Sequence, residues 1–518
     1  MTSLHTHMNA LKPDTLIGII GAGAMGSGIA QVALDAGHPV VLHDAAAGAL
    51  ERGLDGIRTR YARLLAKGKI DQAHHDDCLA RLRGGSLQEL AGAALVIEAI
   101  VERLDVKIAV LSQLEQLLRP DAIIASNTSS LSITAIAAGL ARPQQVVGMH
   151  FFNPAPLLPL VEVVSGKASA EAVVQTIFET ALAWKKVPVH CRSTPGFIVN
   201  RIARPYYGEA LRLLAEGAAD AATLDRVLRE TGGFRMGAFE LMDMIGHDVN
   251  YAVTQSVYDA LYQDPRYKPS LLQKELVDAG WLGRKSGRGF YRYDADAQTG
   301  DAVTSGADTP SGYTIGSVIA EGELGPAAAL IDLAHEHGLP VRVTDGAGVL
   351  HIDGVTLALS DGRSASERFA RDGVQVVFDL ALDYRQARSI ALAPADQTDR
   401  HALTVAQAFF AGIGKSVVVL DDCPGLVVMR TVAMLANEGA DAVQQAIATA
   451  ADVDLAMLNG VNYPRGPLAW ADRIGIAHVA RVIRHLSLSY GEDRYRLSPL
   501  LARMALTNRA FFSERASA

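Results

Sequence analysis

Short apolar runs alternate with longer stretches of helical period from Leu16 to about Arg192. The runs are Leu16 to Ile20, Val40 to His43, Leu95 to Ala99, Ala122 to Ser126, Val146 to His150, Leu160 to Val164 and Val187 to His190. Strand-like and helix-like segments in strict alternation predict a doubly wound α/β sheet. From Thr194 to about Gly280 the pattern changes to long helical runs, closing in the basic, glycine-rich Gly283-Arg284-Lys285-Ser286-Gly287-Arg288-Gly289. A mainly helical second unit is therefore expected. Tyr293 to Gly316 is rich in Asp, Ala, Gly, Ser and Thr and has too little apolar surface to order itself, so residues 294–320 read as a linker. Strands and helices mix again over residues 321–421.

The pattern then repeats. Pro195-Gly196-Phe197-Ile198-Val199-Asn200-Arg201 recurs 229 residues later as Pro424-Gly425-Leu426-Val427-Val428-Met429-Arg430. The same offset aligns Glu209 with Glu438, Asp225 with Asp454, Gly237 with Gly466, Asp243 with Asp472 and Gly246 with Gly475. A constant offset over so many positions marks a duplicated helical domain. Lys186 and Lys415 match as well, so the copied unit reaches back into the preceding strand.

Directly after the first apolar run stands Gly21-Ala22-Gly23-Ala24-Met25-Gly26, opening a helix. The first glycine permits a tight turn, the second a close backbone approach to a diphosphate, and the third close helix-strand packing. The second apolar run ends in Asp44, 18 residues after Gly26, near the offset of about 20 expected of the acid that binds the adenine ribose. With no Arg or Lys in Ala45 to Leu50, that carboxylate repels a 2′-phosphate, which selects NAD over NADP. The glycine string alone also suits a turn in some other α/β protein; the strand, helix and acid around it favour the cofactor reading.

Composition narrows the remaining classes. A chain of 518 residues at 49% hydrophobic content holds several cores, and a net charge of -8 argues against a nucleic-acid surface. No stretch reaches the roughly 18 to 20 unbroken apolar residues of a membrane helix, and residues 1–15 read as a flexible tail and not as a signal peptide. Cys78, Cys191 and Cys423 lie far apart without metal-ligand spacing, so no disulfide framework or metal site is expected and a reducing cytoplasm fits.

Three strand ends carry candidate chemistry: Asn127-Thr128-Ser129-Ser130, His150-Phe151-Phe152-Asn153-Pro154, and Glu162 beyond the turn Asn153-Pro154-Ala155-Pro156. That turn reverses the chain and can set Glu162 opposite His150. A histidine suits removal of a hydroxyl proton while hydride leaves, and a neighbouring carboxylate fixes its tautomer. Ser129 and Asn200 are donors able to hold a substrate oxygen. Each also has a plainer reading: Ser129 or Ser130 as a helix cap, His150 as a core histidine, Glu162 in a structural ion pair, Asn200 satisfying a helix start.

These strings, with Glu98-Ala99-Ile100-Val101-Glu102, Leu160-Val161-Glu162-Val163 and the stretch from Gly237 through Asp243 to Gly246, resemble the (S)-3-hydroxyacyl-CoA dehydrogenases over residues 16–293 and again in the repeat. The length resembles the long bacterial form, which includes 3-hydroxybutyryl-CoA and 3-hydroxyadipyl-CoA dehydrogenases, the latter of phenylacetate breakdown. The resemblance implies a Rossmann NAD-binding domain (16–193), an all-α domain (194–293), a degenerate Rossmann-like domain without a phosphate loop (321–421) and a second all-α domain (422–518).

It further implies that His150 is the base, Glu162 its partner, Ser129 and Asn200 substrate-positioning groups, and that Glu102, Lys107 and Asn153 surround the nicotinamide and ribose. Arg60 falls where the family carries a CoA-contacting lysine, with Arg63 and Lys67 on one helical face beside it, although a solvated basic face suits those two as well. The upstream serine contact of the family falls on Gly53. Met429 replaces the Asn200 equivalent, so one active site per chain is expected. The second helical domain then packs on the first as an intrachain pseudo-dimer, with a homo-oligomer of whole chains also possible. A β-hydroxyacid dehydrogenase acting on a free acid and a non-catalytic NAD- or acyl-CoA-binding protein are the rival readings. The helix after Pro195 lacks the lysine of the first, and the intact Ser129, His150, Glu162 and Asn200 argue against the second.

Overall fold

A computed structural model describes residues 9–293 and 313–512, which divide into two compact units, residues 9–201 with 445–461 and residues 202–293 with 313–444 and 462–512. The first unit is built on eight strands: β1 Ile17–Ile20, β2 Val40–His43, β3 Leu82–Gly84, β4 Leu95–Glu98, β5 Ile123–Ser126, β6 Val146–Phe151, β7 Leu160–Ser165 and β8 Val187–Arg192. Their order is β3-β2-β1-β4-β5-β6-β7-β8, parallel except where β7 returns antiparallel to β6. β1, β4, β5 and β6 are buried along their whole length, which explains their continuous apolar runs. The order reverses between β1 and β4, the switch point beyond whose strand ends open α/β sheets take their ligands. β3 escaped the sequence reading because only Leu82 of its three residues is buried.

The second unit holds the helices Arg204–Ala215, Ala221–Glu230, Ala238–Ile245, His247–Ala260 and Leu271–Asp278, and a seven-stranded sheet. Its strands are β9 Val318–Glu321, β10 Val341–Thr344, β11 Val349–Ile352, β12 Val355–Leu359, β13 Val376–Phe378, β14 Ser389–Pro394 and β15 Ser416–Val419, in the order β10-β9-β11-β12-β13-β14-β15 with mixed directions. β9 begins inside the expected linker, because Val318 and Ala320 are apolar enough to enter a core; residues 294–312 lie outside the described residues. The amino-terminal segment also departs from the expected loose tail. Residues 1–8 lie outside the described residues, but the Asn9 and Leu11 N–H groups donate to Glu179 Oε2 (2.7 Å) and Thr180 Oγ1 (3.1 Å) and tie the chain to the helix Glu171–Ala183. Among the described residues no helix is long and apolar enough to cross a membrane.

The duplication governs how helices meet sheets. In the first unit the helix Ala450–Gly460 packs on β7 and β8, and Arg192 N–H donates to Ile447 O at 2.9 Å. In the second unit the corresponding helix Ala221–Glu230 packs on β14, and Asp421 N–H donates to Ala218 O at 3.0 Å. Asp421 and Ala218 are the repeat equivalents of Arg192 and Ile447, so each half lends a helix to the other half's sheet.

Within the second unit, side chains of the two helical domains also exchange reciprocally. Glu209 accepts from Arg430 Nε (2.8 Å), Arg494 Nε (3.0 Å) and Tyr495 O–H (2.8 Å). Its repeat equivalent Glu438 accepts from Arg266 Nη1 (2.9 Å) and from the Tyr267 hydroxyl. All of these groups are buried. Burial pushes the Glu209 carboxyl up, but the charges of Arg494 and Arg430 prevail and hold it at about 2.

Candidate active site

The glycine-rich turn joins β1 to the helix Ala24–Asp35, whose N-terminus carries no side-chain cap and no acid in its first turn. Its leading N–H groups are thus left for an anion. Sterics separate the three glycines. At Gly26 a Cβ would lie 1.8 Å from Gly21 O, and at Gly21, where φ is +102°, 2.5 Å from Ala99 O; at Gly23 it would meet nothing within 4 Å. Gly21 and Gly26 let the turn close on itself, whereas the face at Gly23 is open. Asp44, at the end of β2, accepts from Ala22 N–H (2.7 Å) and Ala46 N–H (2.8 Å), which fixes its carboxylate beside the turn. These residues fit NAD: a bare helix end for the diphosphate and an acid for the ribose hydroxyls.

His150 and Glu162 are direct partners in the antiparallel β6/β7 register. His150 Nδ1 lies 2.7 Å from Glu162 Oε2, with the imidazole 6% exposed and the carboxylate fully buried. Glu162 has a second task on its other oxygen: Oε1 accepts from Ile198 N–H (3.0 Å) and Val199 N–H (2.9 Å), the start of the helix Val199–Ile202. Those amides are aimed by a left-handed pair, Gly196 (φ +74°) and Phe197 (φ +49°). Phe152 and Phe197 pack against the imidazole with ring centroids 4.6 and 5.8 Å away. Among the described residues nothing bonds His150 Nε2. A carboxylate on Nδ1 places the proton there and leaves Nε2 its lone pair.

Asn200 follows Val199 directly, and its Nδ2 donates to Ser129 O at 3.5 Å, which brings the serine loop and the asparagine together. Ser129 itself is drawn to Glu102: Oε1 of that acid accepts from Thr128 O–H (2.7 Å), Ser129 N–H (2.9 Å), Ser130 N–H (3.0 Å) and the hydroxyls of Ser129 (3.3 Å) and Ser130 (2.9 Å). Burial pushes Glu102 up, but these donors and the charge of Lys107 hold it below the usual carboxylate range.

Lys107 is 1% exposed and is paired with Glu98, with Glu102 Oε2 3.4 Å away, so it stands behind Glu102 and not on an open surface. Glu98 also accepts from Ser126 O–H (2.7 Å) and Ile100 N–H (2.8 Å). It anchors the carboxyl ends of β4 and β5, a role that its place in the string Glu98 to Glu102 could not reveal. Asn127, likewise unassigned from sequence, accepts Phe151 N–H at 2.8 Å and fixes β6 beside His150. Asn153 is exposed on the following turn.

On the helix Ala49–Ala66, Arg60 is half-buried, and its Nε and Nη2 are buried without a hydrogen-bond partner, while Arg63 and Lys67 are exposed. Gly53 leaves no room for a serine, since a Cβ there would sit 2.7 Å from Ala22 O.

The degenerate half retains the turn and loses the imidazole. Gly425 (φ +81°) and Leu426 (φ +52°) repeat the left-handed pair. β7 pairs Leu160 with Val187, and β14 pairs Ser389 with Ser416, both shifted by the repeat offset, so Ala391 stands where Glu162 does. Opposite it, at the position of His150, is Asp379, whose N–H donates to Ala391 O at 2.8 Å. Asp379 takes over the helix start, accepting from Val427 (2.9 Å), Val428 (2.7 Å) and Met429 N–H (2.9 Å). One acid has replaced the pair and serves the backbone alone.

Comparison with known proteins agrees with this division. Residues 16–194 match the family described as 3-hydroxyacyl-CoA dehydrogenase, NAD binding domain; residues 196–293 and 425–512 match its C-terminal domain twice; residues 357–424 match a 3-hydroxybutyryl-CoA dehydrogenase reduced Rossmann-fold domain. The chain is 42% identical over 499 residues to 3-hydroxyadipyl-CoA dehydrogenase of Escherichia coli, covering 96% of this chain and 98% of the relative. It is similar to a crystal structure of 3-hydroxybutyryl-CoA dehydrogenase from Escherichia coli, with a TM-score of 0.86 at 41% identity over 96% of this chain and 99% of that one. The shorter hydroxyacyl-coenzyme A dehydrogenase of Sus scrofa mitochondria is 37% identical over 53% of this chain and 90% of its own length. The phosphate turn, the buried imidazole-carboxylate pair and this agreement along nearly the whole chain lead to one conclusion: the protein belongs to the 3-hydroxyacyl-CoA dehydrogenase family and is an NAD-dependent oxidoreductase of that class.

Proposed function

We propose that the protein reversibly oxidises (S)-3-hydroxyacyl-CoA to 3-oxoacyl-CoA, with 3-hydroxybutyryl-CoA or 3-hydroxyadipyl-CoA as substrate. The single observation that carries the mechanism is the 2.7 Å contact between His150 Nδ1 and Glu162 Oε2, which leaves Nε2 as the free base. His150 Nε2 takes the proton of the C3 hydroxyl as the C3 hydride leaves, and Glu162 stabilises the imidazolium that forms. Asn200 and Ser129 hold the substrate oxygen in line. In the reverse direction the imidazolium returns the proton to the carbonyl oxygen. NAD, when bound, supplies the hydride acceptor; Gly21, Ala22, Gly23, Ala24, Met25 and Gly26 hold its diphosphate and Asp44 its ribose. Glu102, braced by Lys107, and Asn153 line the nicotinamide end, and Arg60, half-buried on the helix Ala49–Ala66, meets a CoA phosphate.

One active site serves each chain, since Asp379 and Ala391 stand at the positions of His150 and Glu162. The halves form an intrachain pseudo-dimer, a reading supported by the reciprocal Glu209 and Glu438 clusters and the exchanged helices. Three buried free cysteines favour a reducing cytoplasm. NADH consumption with acetoacetyl-CoA tests the reaction: turnover is expected, and its absence from folded, NAD-binding protein overturns it.

A further inference from the structure

His74 and Cys78 stand one helical turn apart on the helix Gln72–Ala80, whose start is fixed by Asp71, a side chain that accepts from His74 N–H at 2.8 Å. Cys78 belongs to the apolar core of the first unit and is fully buried, while His74, one turn nearer the helix start, is half-buried. Facing them is Asp35, the exposed last residue of the helix Ala24–Asp35. All three lie within the first unit.

Donor atoms of three kinds converge there. Asp35 Oδ1 and His74 Nε2 are 3.2 Å apart, His74 Nε2 and Cys78 Sγ 3.5 Å, and Cys78 Sγ and Asp35 Oδ1 3.9 Å. Bonds of about 2.0 Å to oxygen and nitrogen and about 2.3 Å to sulfur at tetrahedral angles set ligand atoms about 3.3 to 3.6 Å apart, so these atoms stand close to three corners of a zinc tetrahedron. Among the described residues no other three His, Cys, Asp or Glu side chains come together in this way. Neighbours brace the three. Tyr61, buried on the helix Ala49–Ala66, donates its hydroxyl to Asp35 Oδ1 at 2.7 Å, and Arg81 Nη2 lies 3.7 Å from Cys78 Sγ with its charge balanced by Asp77 at 2.5 Å. Donors aimed at the carboxylate and the sulfur favour the anionic forms that ligate. A sulfur, a nitrogen and an oxygen suit zinc, whereas magnesium and calcium take oxygen alone. The spacing of the cysteines predicted no metal site, because the third donor, Asp35, lies 39 residues from His74 and meets it only in the fold.

We propose that Asp35, His74 and Cys78 bind one Zn²⁺ per chain, with water as the fourth ligand on the exposed side of Asp35. Burial pushes the free Cys78 thiol up, so its S–H bond breaks as the metal arrives: the proton passes to solvent, the sulfur electron pair binds the ion, and no oxidation state changes. The phosphate turn stands at the other end of the helix Ala24–Asp35, 12 residues or about 18 Å away, so the ion ties that helix to Gln72–Ala80 and takes no part in hydride transfer.

The test uses the full-length protein, native, Cys78→Ser and Asp35→Asn, stripped with a chelator and then titrated with Co²⁺ and, in competition with a chromophoric chelator, with Zn²⁺. Co²⁺ on the native protein should give a thiolate-to-metal charge-transfer band and the strong visible absorption of a four-coordinate ion, both saturating at one per chain. Cys78→Ser should lose the charge-transfer band. Both variants should bind Zn²⁺ at least about tenfold more weakly, since the loss of a mere outer partner already costs about 10- to 100-fold. Circular dichroism shows whether the variants fold; if Cys78→Ser does not, His74→Gln, whose ring is partly exposed, takes its place with the same expected loss of zinc affinity. Native protein without the charge-transfer band, or a folded variant with a smaller loss of zinc affinity, overturns the proposal and reduces the cluster to a hydrogen-bonded clip between two helices.

Discussion

Replacing Glu162 by glutamine separates the two tasks of this residue. Oε1 receives the Ile198 and Val199 N–H groups and Oε2 faces His150 Nδ1. A glutamine keeps its carbonyl oxygen toward the two amides, because the reverse orientation sets N–H donors against N–H donors. Its Nε2 group then faces the imidazole, which must accept at Nδ1 and therefore carries its proton on Nε2, where the base is required. The wrong tautomer in a comparable imidazole-carboxylate pair of the serine proteases costs about 10⁴ in kcat. About 10³ to 10⁴ is expected here, or roughly 4 to 5.5 kcal/mol of barrier. The helix start keeps both of its hydrogen bonds to a neutral acceptor in place of a charged one, at a cost of roughly 1 to 2 kcal/mol in stability. NADH oxidation by acetoacetyl-CoA measures the rate, a urea melt the stability, and fluorescence titration the NADH affinity, which should hold within about threefold if only the chemical step is touched. A variant that keeps kcat within about tenfold of native would refute the idea that this carboxylate sets the tautomer.

Further expectations concern the turn, the helical clusters and the stoichiometry. Gly23→Ala should fold like the native protein and weaken NAD roughly tenfold or more, because its methyl occupies only the open approach, whereas Gly26→Ala should disturb the turn itself and lower the melting temperature; equal behaviour of the two in melts and NAD titrations would contradict the division of roles. Glu209, held at about 2 against an ordinary 4.5, contributes about 3 kcal/mol that is present above pH 5 and lost as pH falls toward 2; urea melts of native and Glu209→Gln protein should converge over that range. At neutral pH the variant leaves Arg430 and Arg494 without their shared acid and should lose about 3 to 5 kcal/mol. Calorimetric titration with NADH should saturate at one per chain, and two would show that the degenerate half binds cofactor.

How far the sequence reached depended on whether a signal was local. β1, β2 and β4 to β7 were visible because strands buried along nearly their whole length leave largely apolar runs, β8 because Val187 to Val189 is apolar although His190 and Arg192 are exposed, and the phosphate turn was visible because its steric demands fall on glycines five residues apart at most. The His150 to Glu162 partnership was also within reach, since a short reversal joins two adjacent strands. The second task of Glu162 was not, because its amide partners at Ile198 and Val199 lie 36 and 37 residues away and are aimed by left-handed backbone at Phe197, a residue type that gives no hint of it. Glu98 and Asn127 were equally silent: their partners are a buried lysine and a backbone N–H on another strand. The repeat predicted that the two halves associate. That each half's helix covers the other's sheet became apparent only from Arg192 with Ile447 and Asp421 with Ala218.

The most direct test of the account is the turnover of (S)-3-hydroxybutyryl-CoA with NAD by His150→Gln. The account predicts a loss of about 10² to 10⁴ in kcat with NAD affinity nearly unchanged, because glutamine cannot accept the hydroxyl proton while the phosphate turn and Asp44 are untouched. A variant that oxidises this thioester at close to the native rate would contradict the assignment of His150 as the base.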